Sequence, residues 1–176
     1  MKFSTVVALA VLVGLFLWSR QVMERPDPRN SGAFGKAVVV DGDSLKVSGQ
    51  MIRLQGIDAP EYAQTCRRDG QETRCGRDAA TYLKTLISKG EVTCKGFEHD
   101  RFGRLLGTCL VGGEDIGAAM VRAGQAVSYG DYVVEEALAR AERRGLWAGT
   151  FDFPKDWRAL HPRQEPPSAA QAPRQP

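Results

Sequence analysis

Three short runs near residue 40, the first a continuous apolar β-branched stretch and the next two with polar and apolar positions interleaved, are patterned as strands bounded by turn residues. Gly35–Val40, Ser44–Val47 and Met51–Ile57 read as strands joined by the turns "DGD" and "SGQ". The pattern then changes. Ala79, Tyr82, Leu83, Leu86 and Ile87 recur at i, i+3, i+4, i+7 and i+8, which predicts a helix over Gly76–Lys89 that stops at Gly90. Glu91–Glu98 and Arg104–Leu110 read as two further strands around "HDRFGR", and Asp115–Ala123 and Val133–Arg144 as helices, the last ending at Gly145. Five short strands with about three helices inserted and appended predict an α+β fold built on a small barrel.

The flanks do not share this patterning. Phe3–Ser19, "FSTVVALAVLVGLFLWS", runs 17 residues without a charge after Lys2. Its length falls between a signal-peptide core and a membrane span, and Trp18 and Arg20 follow it in place of a small-x-small cleavage site. Residues 1–20 are therefore expected to be an export signal, either a cleaved peptide or an uncleaved anchor. Residues 21–33 read as a Pro/Gly-rich linker, 34–160 as the folded domain and 161–176 as a disordered Pro-rich tail. On this reading the domain is periplasmic or extracellular, and meets a membrane through residues 3–19 if the segment is retained.

Charge changes the picture little. The net charge is +3, but Phe34 to Leu160 holds 18 basic and 18 acidic residues, so bulk charge does not argue for binding polyanions. The cysteines change it more. The chain has four, Cys66, Cys75, Cys94 and Cys109, an even number that suits an oxidising compartment. Pairing the two strands symmetrically about a type I turn at "DRFG" puts Cys94 opposite Cys109, within disulfide reach. Cys66 and Cys75 then pair by elimination and close "CRRDGQETRC". Zinc ligation, without any C-x-x-C spacing, and four reduced buried thiols are the alternatives.

Candidate chemistry starts at "DGDS". Asp-Gly between strand-like runs is a turn sequence in which Gly42 lets the chain reverse, and Asp41 and Asp43 also resemble the beginning of a hard-cation site. An EF-hand loop is excluded, because Leu45 and Ile52 occupy its fifth and twelfth positions. "GIDAPE" adds Asp58 and Glu61. Asp43, Asp58, the Ala59 carbonyl, directed by Pro60, and Glu61 through water would make a partly hydrated oxygen site suited to Ca²⁺. Arg53 projects from the strand face opposite Ile52 and Leu54, and Arg104 lies just past the hairpin turn. Two arginines beside a carboxylate-bound cation are what phosphodiester cleavage needs, although each arginine alone also reads as a solvated or ion-paired surface residue.

The ordered set "VVVDGDSLKV…MIRLQGIDAPE…DRFGR…IGAAMVRAGQA…GLW" resembles the staphylococcal-nuclease-like (thermonuclease) family over about Phe34 to Trp147. The resemblance implies a five-stranded OB-type barrel with three helices. It also implies a monomeric, Ca²⁺-dependent endonuclease acting on DNA and RNA with low sequence specificity and leaving 3′-phosphate ends. Asp43 and Asp58 match the calcium carboxylates, Ala59 the carbonyl donor, Asp41 a support for that set, and Glu61 the general base. Arg53 and Arg104 match the phosphate-binding arginines, and Tyr129 an aromatic near the nucleotide. Phe102 stands where the founding member has tyrosine, which removes a phosphate donor, and "CRRDGQETRC" has no counterpart in the founding member's core motifs. The rival expectations are a catalytically silent OB module that binds nucleic acid or protein, and an envelope scaffold that works through its anchor and tail.

Overall fold

A computed structural model describes residues 31–162. The apolar segment 3–19, the linker up to residue 30 and the tail from residue 163 lie outside the described residues. In chain order the elements are β1 (Ser31–Gly35), β2 (Ala37–Asp41), β3 (Ser44–Val47), β4 (Gln50–Leu54), β5 (Ile57–Asp58), β6 (Cys66–Arg68) and β7 (Gln71–Thr73). Then come helix α1 (Cys75–Ile87), β8 (Val92–His99), β9 (Leu105–Val111), β10 (Glu114–Asp115), helix α2 (Ile116–Arg122), β11 (Val127–Ser128), helix α3 (Val133–Ala141), a 3₁₀ turn (Gly145–Ala148) and helix α4 (Pro154–Leu160).

The fold is α+β, as the periodicity predicts. The main sheet runs β1-β8-β9-β4-β3-β2, with β4 parallel to β9 and the β2–β3, β3–β4 and β8–β9 pairs antiparallel. No ladder among the described residues joins β1 to β2, so the sheet is open in its hydrogen bonding. Only Lys36 separates those two strands, however, so the chain itself passes from one edge of the sheet to the other. β1 begins at Ser31, inside the stretch expected as linker, because its small residues, "SGAFG", give no alternation to detect.

Leu45, Val47, Ile52, Leu54, Val92, Leu105 and Val111 of the sheet meet Ala79, Leu83 and Leu86 of α1 and Ile116, Met120 and Val121 of α2 in one core. Each of the Val, Leu, Ile and Met side chains contributes about 1.5–3 kcal/mol by leaving water. Three two-residue hairpins between neighbouring strands have positive φ at both turn residues, and one is Gly112-Gly113 (φ 57° and 83°) between β9 and β10. Ser48-Gly49 (φ 47° and 90°) connects β3 to β4, and Asp69-Gly70 (φ 52° and 79°) connects β6 to β7, both with the paired positive φ of a type I′ turn.

The disulfides are Cys66–Cys75 and Cys94–Cys109, with Cα atoms 5.7 and 4.1 Å apart. Cys94 faces Cys109 as the hairpin arithmetic requires, but the ladder is not symmetric throughout. Near the tip His99 faces Leu105 and Glu98 faces Leu106, one residue out of step with Gly96 facing Gly107. A bulge between Gly96 and Glu98, at Phe97, absorbs the difference.

Candidate active site

The Asp41-Gly42-Asp43 turn, unlike those at Ser48-Gly49, Asp69-Gly70 and Gly112-Gly113, lacks the paired positive φ of a type I′ hairpin. Asp41 pairs with Ser44 across Gly42 and Asp43, after a register shift between Val39 and Asp41, and neither central residue has positive φ. Gly42 is required for space instead: a Cβ there would lie 2.7 Å from the Ala59 Cβ and 3.1 Å from the Ala79 Cβ of α1. The turn is shaped by a side chain, with the Asp43 amide donating to Asp41 Oδ1 at 3.1 Å. Pressing the turn against Ala59 buries Asp43, whose side chain accepts from the Ala59 amide at 3.1 Å and from Ser44 Oγ at 3.1 Å.

Arg53 leaves β4 toward this turn because Ile52 and Leu54 occupy the other face. Its guanidinium pairs with Asp43 through Nη1 and with Asp58 Oδ1 at 3.0 Å through Nη2. Asp58 reaches the same place from β5, held by β11, where Val127 faces Asp58. Both carboxylates are buried, at 4% and 3% exposure. Burial pushes the Asp43 carboxyl up to about 7; Arg53 pulls it back, the Asp41 charge raises it further, and the Ala59 amide lowers it. Burial works against the Arg53 charge too, and the Asp43 and Asp58 carboxylates more than restore it.

Arg104 joins from the hairpin. Its Nε and Nη2 each lie 2.8 Å from Asp100 Oδ2, and its Nη1 donates to Ser44 Oγ at 3.0 Å. Burial raises the Asp100 carboxyl, but the amide and guanidinium of Arg104 and the Phe102 amide hold it below its ordinary value. Glu61 sits on a loop whose conformation is set by Gln64, a fully buried side chain. The Glu61 amide donates to Gln64 Oε1 at 3.2 Å, the Gln64 amide to the Glu61 carbonyl at 2.7 Å, and Gln64 Nε2 to the Asp152 carbonyl at 2.7 Å. Gly76 at the start of α1 admits this loop, since a Cβ there would lie 1.8 Å from the Glu61 carbonyl oxygen.

The structure thus brings Asp41, Asp43, Asp58, Ala59, Glu61, Arg53 and Arg104 to one rim. The contact it gives Ala59 is through its amide. Phe102 and Tyr129 stay at the periphery and exposed, Phe102 beneath the guanidinia of Arg101 and Arg104 at 4.8 and 5.5 Å, Tyr129 one residue beyond β11 with its amide on the Gly56 carbonyl at 2.8 Å. Two site residues escaped sequence reasoning. One is Gln64. The other is Arg158 of α4, whose Nη1 and Nη2 lie 2.9 and 3.0 Å from the two Asp58 oxygens, with Nη1 also 3.3 Å from Glu61 Oε1. The signals of α4 were Pro154 at its first position, Asp156 in its first turn and Arg158 in its last.

The donor chemistry suits a hard cation, with two buried carboxylates bridged by Arg53 and the Ile57 carbonyl 3.5 Å from the same guanidinium. Among the described residues no three acidic, histidine or cysteine side chains converge as a metal cage. An ion here would rest on Asp43, Asp58, a backbone oxygen and water.

A profile of the staphylococcal nuclease homologues matches residues 51–149, more than half of the chain. The chain belongs to that family. Among relatives of this staphylococcal nuclease homologue, the succinoglycan biosynthesis protein ExoI of Rhizobium meliloti (strain 1021) is 33% identical over 121 residues, 64% of this chain and 63% of that protein. An uncharacterized endonuclease of Escherichia coli O157:H7 is 35% identical over 127 residues, 66% of this chain and 77% of that one. Endonuclease YhcR of Bacillus subtilis (strain 168) is 31% identical over 149 residues, 70% of this chain and 12% of that one. The match thus spans less than two thirds of ExoI and a small part of YhcR. Within this homologue, α4 and Arg158 fall beyond the stretch that matches the family.

Proposed function

We propose that the protein is an exported nuclease that uses Ca²⁺ to hydrolyse phosphodiester bonds in DNA and RNA with little sequence preference, leaving 3′-phosphate ends. Family membership and the endonuclease names of two relatives support the reaction class. The observation that carries the reading is one unbroken chain of contacts, Arg104 to Ser44 to Asp43 to Arg53 to Asp58, with one arginine between two buried carboxylates and a second linked to them through Ser44. Asp43, Asp58 and the Ala59 carbonyl would hold the cation, and Asp41 would keep Asp43 in place. When bound, the cation supplies Lewis-acid polarisation of the phosphoryl oxygen.

The rest falls to the chain. Arg53 and Arg104 donate to the phosphate oxygens and stabilise the charge that grows as water adds to phosphorus. Glu61 accepts the proton of the attacking water. The 5′ P–O bond breaks, and the phosphate stays on the 3′ oxygen. The two disulfides and the apolar segment 3–19 support export, and Phe102 and Tyr129 are the aromatic surfaces offered to nucleotides.

The full oxidised chain incubated with single- and double-stranded DNA and RNA tests this. Degradation should require Ca²⁺, stop with EDTA, and fall about 10²-fold or more in Glu61→Gln and Arg104→Ala. Binding of nucleic acid in calcium without turnover would replace the enzyme by the silent module.

A further inference from the structure

Among the described residues, Arg158 is a cation at this rim that the proposed chemistry leaves without a task. It takes both oxygens of Asp58 and touches Glu61, the two groups through which the cation and the attacking water would be held. Two parallel N–H···O bonds to one carboxylate are the strongest form of this pair, and together with the Arg53 bond to Oδ1 they take up most of the Asp58 lone pairs that an incoming ion would use.

The element that delivers Arg158 is lightly attached. Within α4 only Pro154 is buried, Trp157 and Arg158 are half-buried, and Leu160 is exposed. The segment before it is anchored well. Phe151 and Phe153 pack on Trp147, with ring centroids 5.0 and 6.3 Å away, and the Asp152 carbonyl accepts from buried Gln64. An anchor up to Phe153, followed by a seven-residue helix that buries only Pro154 and reaches the rim through the Arg158 guanidinium, is the layout of an arm that can leave its seat without disturbing the core.

We propose that Arg158 is a built-in competitor for the divalent cation: seated on Asp58 and Glu61 it closes the site, and cation binding displaces it and frees α4. The proposal rests on the cation-dependent reading above. It follows from charge: Asp43, Asp58 and Glu61 face Arg53 and Arg158, and removing Arg158 leaves the acidic set with more uncompensated charge to attract a cation. Arg158 is thus a residue that sets cation affinity rather than a catalytic residue.

The test is calcium titration of the full oxidised chain by calorimetry without nucleic acid, together with hydrogen exchange over residues 154–160. Arg158→Gln should bind Ca²⁺ about tenfold more tightly than the unaltered protein, with Arg158→Lys between them. In the unaltered protein, added Ca²⁺ should speed exchange across α4 while leaving the β8–β9 amides unchanged. Equal or weaker affinity in Arg158→Gln, or exchange in α4 that slows with Ca²⁺, would overturn the proposal while the calcium site stands. Absence of calcium binding by all three proteins would overturn both.

Discussion

Arg53 and Arg158 hold the same carboxylate from two very different parts of the molecule. Arg53 stands in β4, which is paired to β3 on one side and β9 on the other and buries Ile52 and Leu54 beneath it. Its side chain is 19% exposed, and it is the link between Asp43 and Asp58. Arg158 is 38% exposed and stands on a terminal helix with one buried residue. The same ion-pair chemistry is therefore a fixed part of the fold in one place and a detachable one in the other. What separates the two is the backbone that carries the arginine. The Arg53 variant should show the larger effect. Arg53→Ala strands the buried Asp43 carboxylate, while Asp58 keeps Arg158, and should cost about 3–5 kcal/mol in denaturant unfolding with EDTA present. Asp43 is already raised above its unfolded value, so the ionised form is what the fold disfavours; the deficit should grow as pH rises from 5 to 8 and shrink on acidification. A deficit under 1 kcal/mol at pH 8 would mean that Asp43 is hydrated and that β4 is not the rigid half of the site.

The two halves were also unequally legible in the sequence. Most of the pairing on β3, β4 and the β8–β9 hairpin follows from strand patterning and turn chemistry, since partners there are close in the chain or set by a register that can be counted. Cys94 facing Cys109 was countable, although the count succeeds only together with a bulge at Phe97 that nothing in the sequence marked. The Asp-Gly rule was misleading at Asp41-Gly42, where burial against Ala59 decides the geometry, and it applies unaltered at Asp69-Gly70. Arg158 and Asp58 are 100 residues apart, and a single arginine on a seven-residue helix leaves no periodic trace. Gln64 was invisible for a similar reason: a buried amide is defined by its partners, one of them at Asp152, and not by its neighbours in sequence.

The disulfides extend the contrast. Cys94–Cys109 crosses two core strands that are already paired, whereas Cys66–Cys75 ties the β6–β7 hairpin to the start of α1, next to the Gln64 carbonyl that accepts from Gly76. Replacing either pair by alanine should cost about 3 kcal/mol in the chain-entropy account. Activity should separate them. Loss of Cys66–Cys75 loosens the loop that positions Glu61 and should lower kcat severalfold at a temperature where the variant is fully folded, while loss of Cys94–Cys109 should leave kcat nearly unchanged. Equal effects on kcat would show that the Glu61 loop is positioned by Gln64 and Gly76 alone.

The smallest effect belongs to Arg158. Arg158→Ala removes a half-exposed guanidinium from a carboxylate that keeps Arg53 at 3.0 Å, so no buried charge is stranded. Solvent screens much of what the pair contributes, and the thermal midpoint in EDTA should fall by no more than the equivalent of about 1 kcal/mol. The pair of arginines should nonetheless be coupled, because each variant leaves Asp58 dependent on the other. Arg53→Ala/Arg158→Ala should lose more than the two single losses combined, by about 1 kcal/mol, since only then does Asp58 lack any cation. A loss of 3 kcal/mol for Arg158→Ala alone, with strict additivity in the double variant, would place α4 within the cooperative fold and erase the difference between the two arginines.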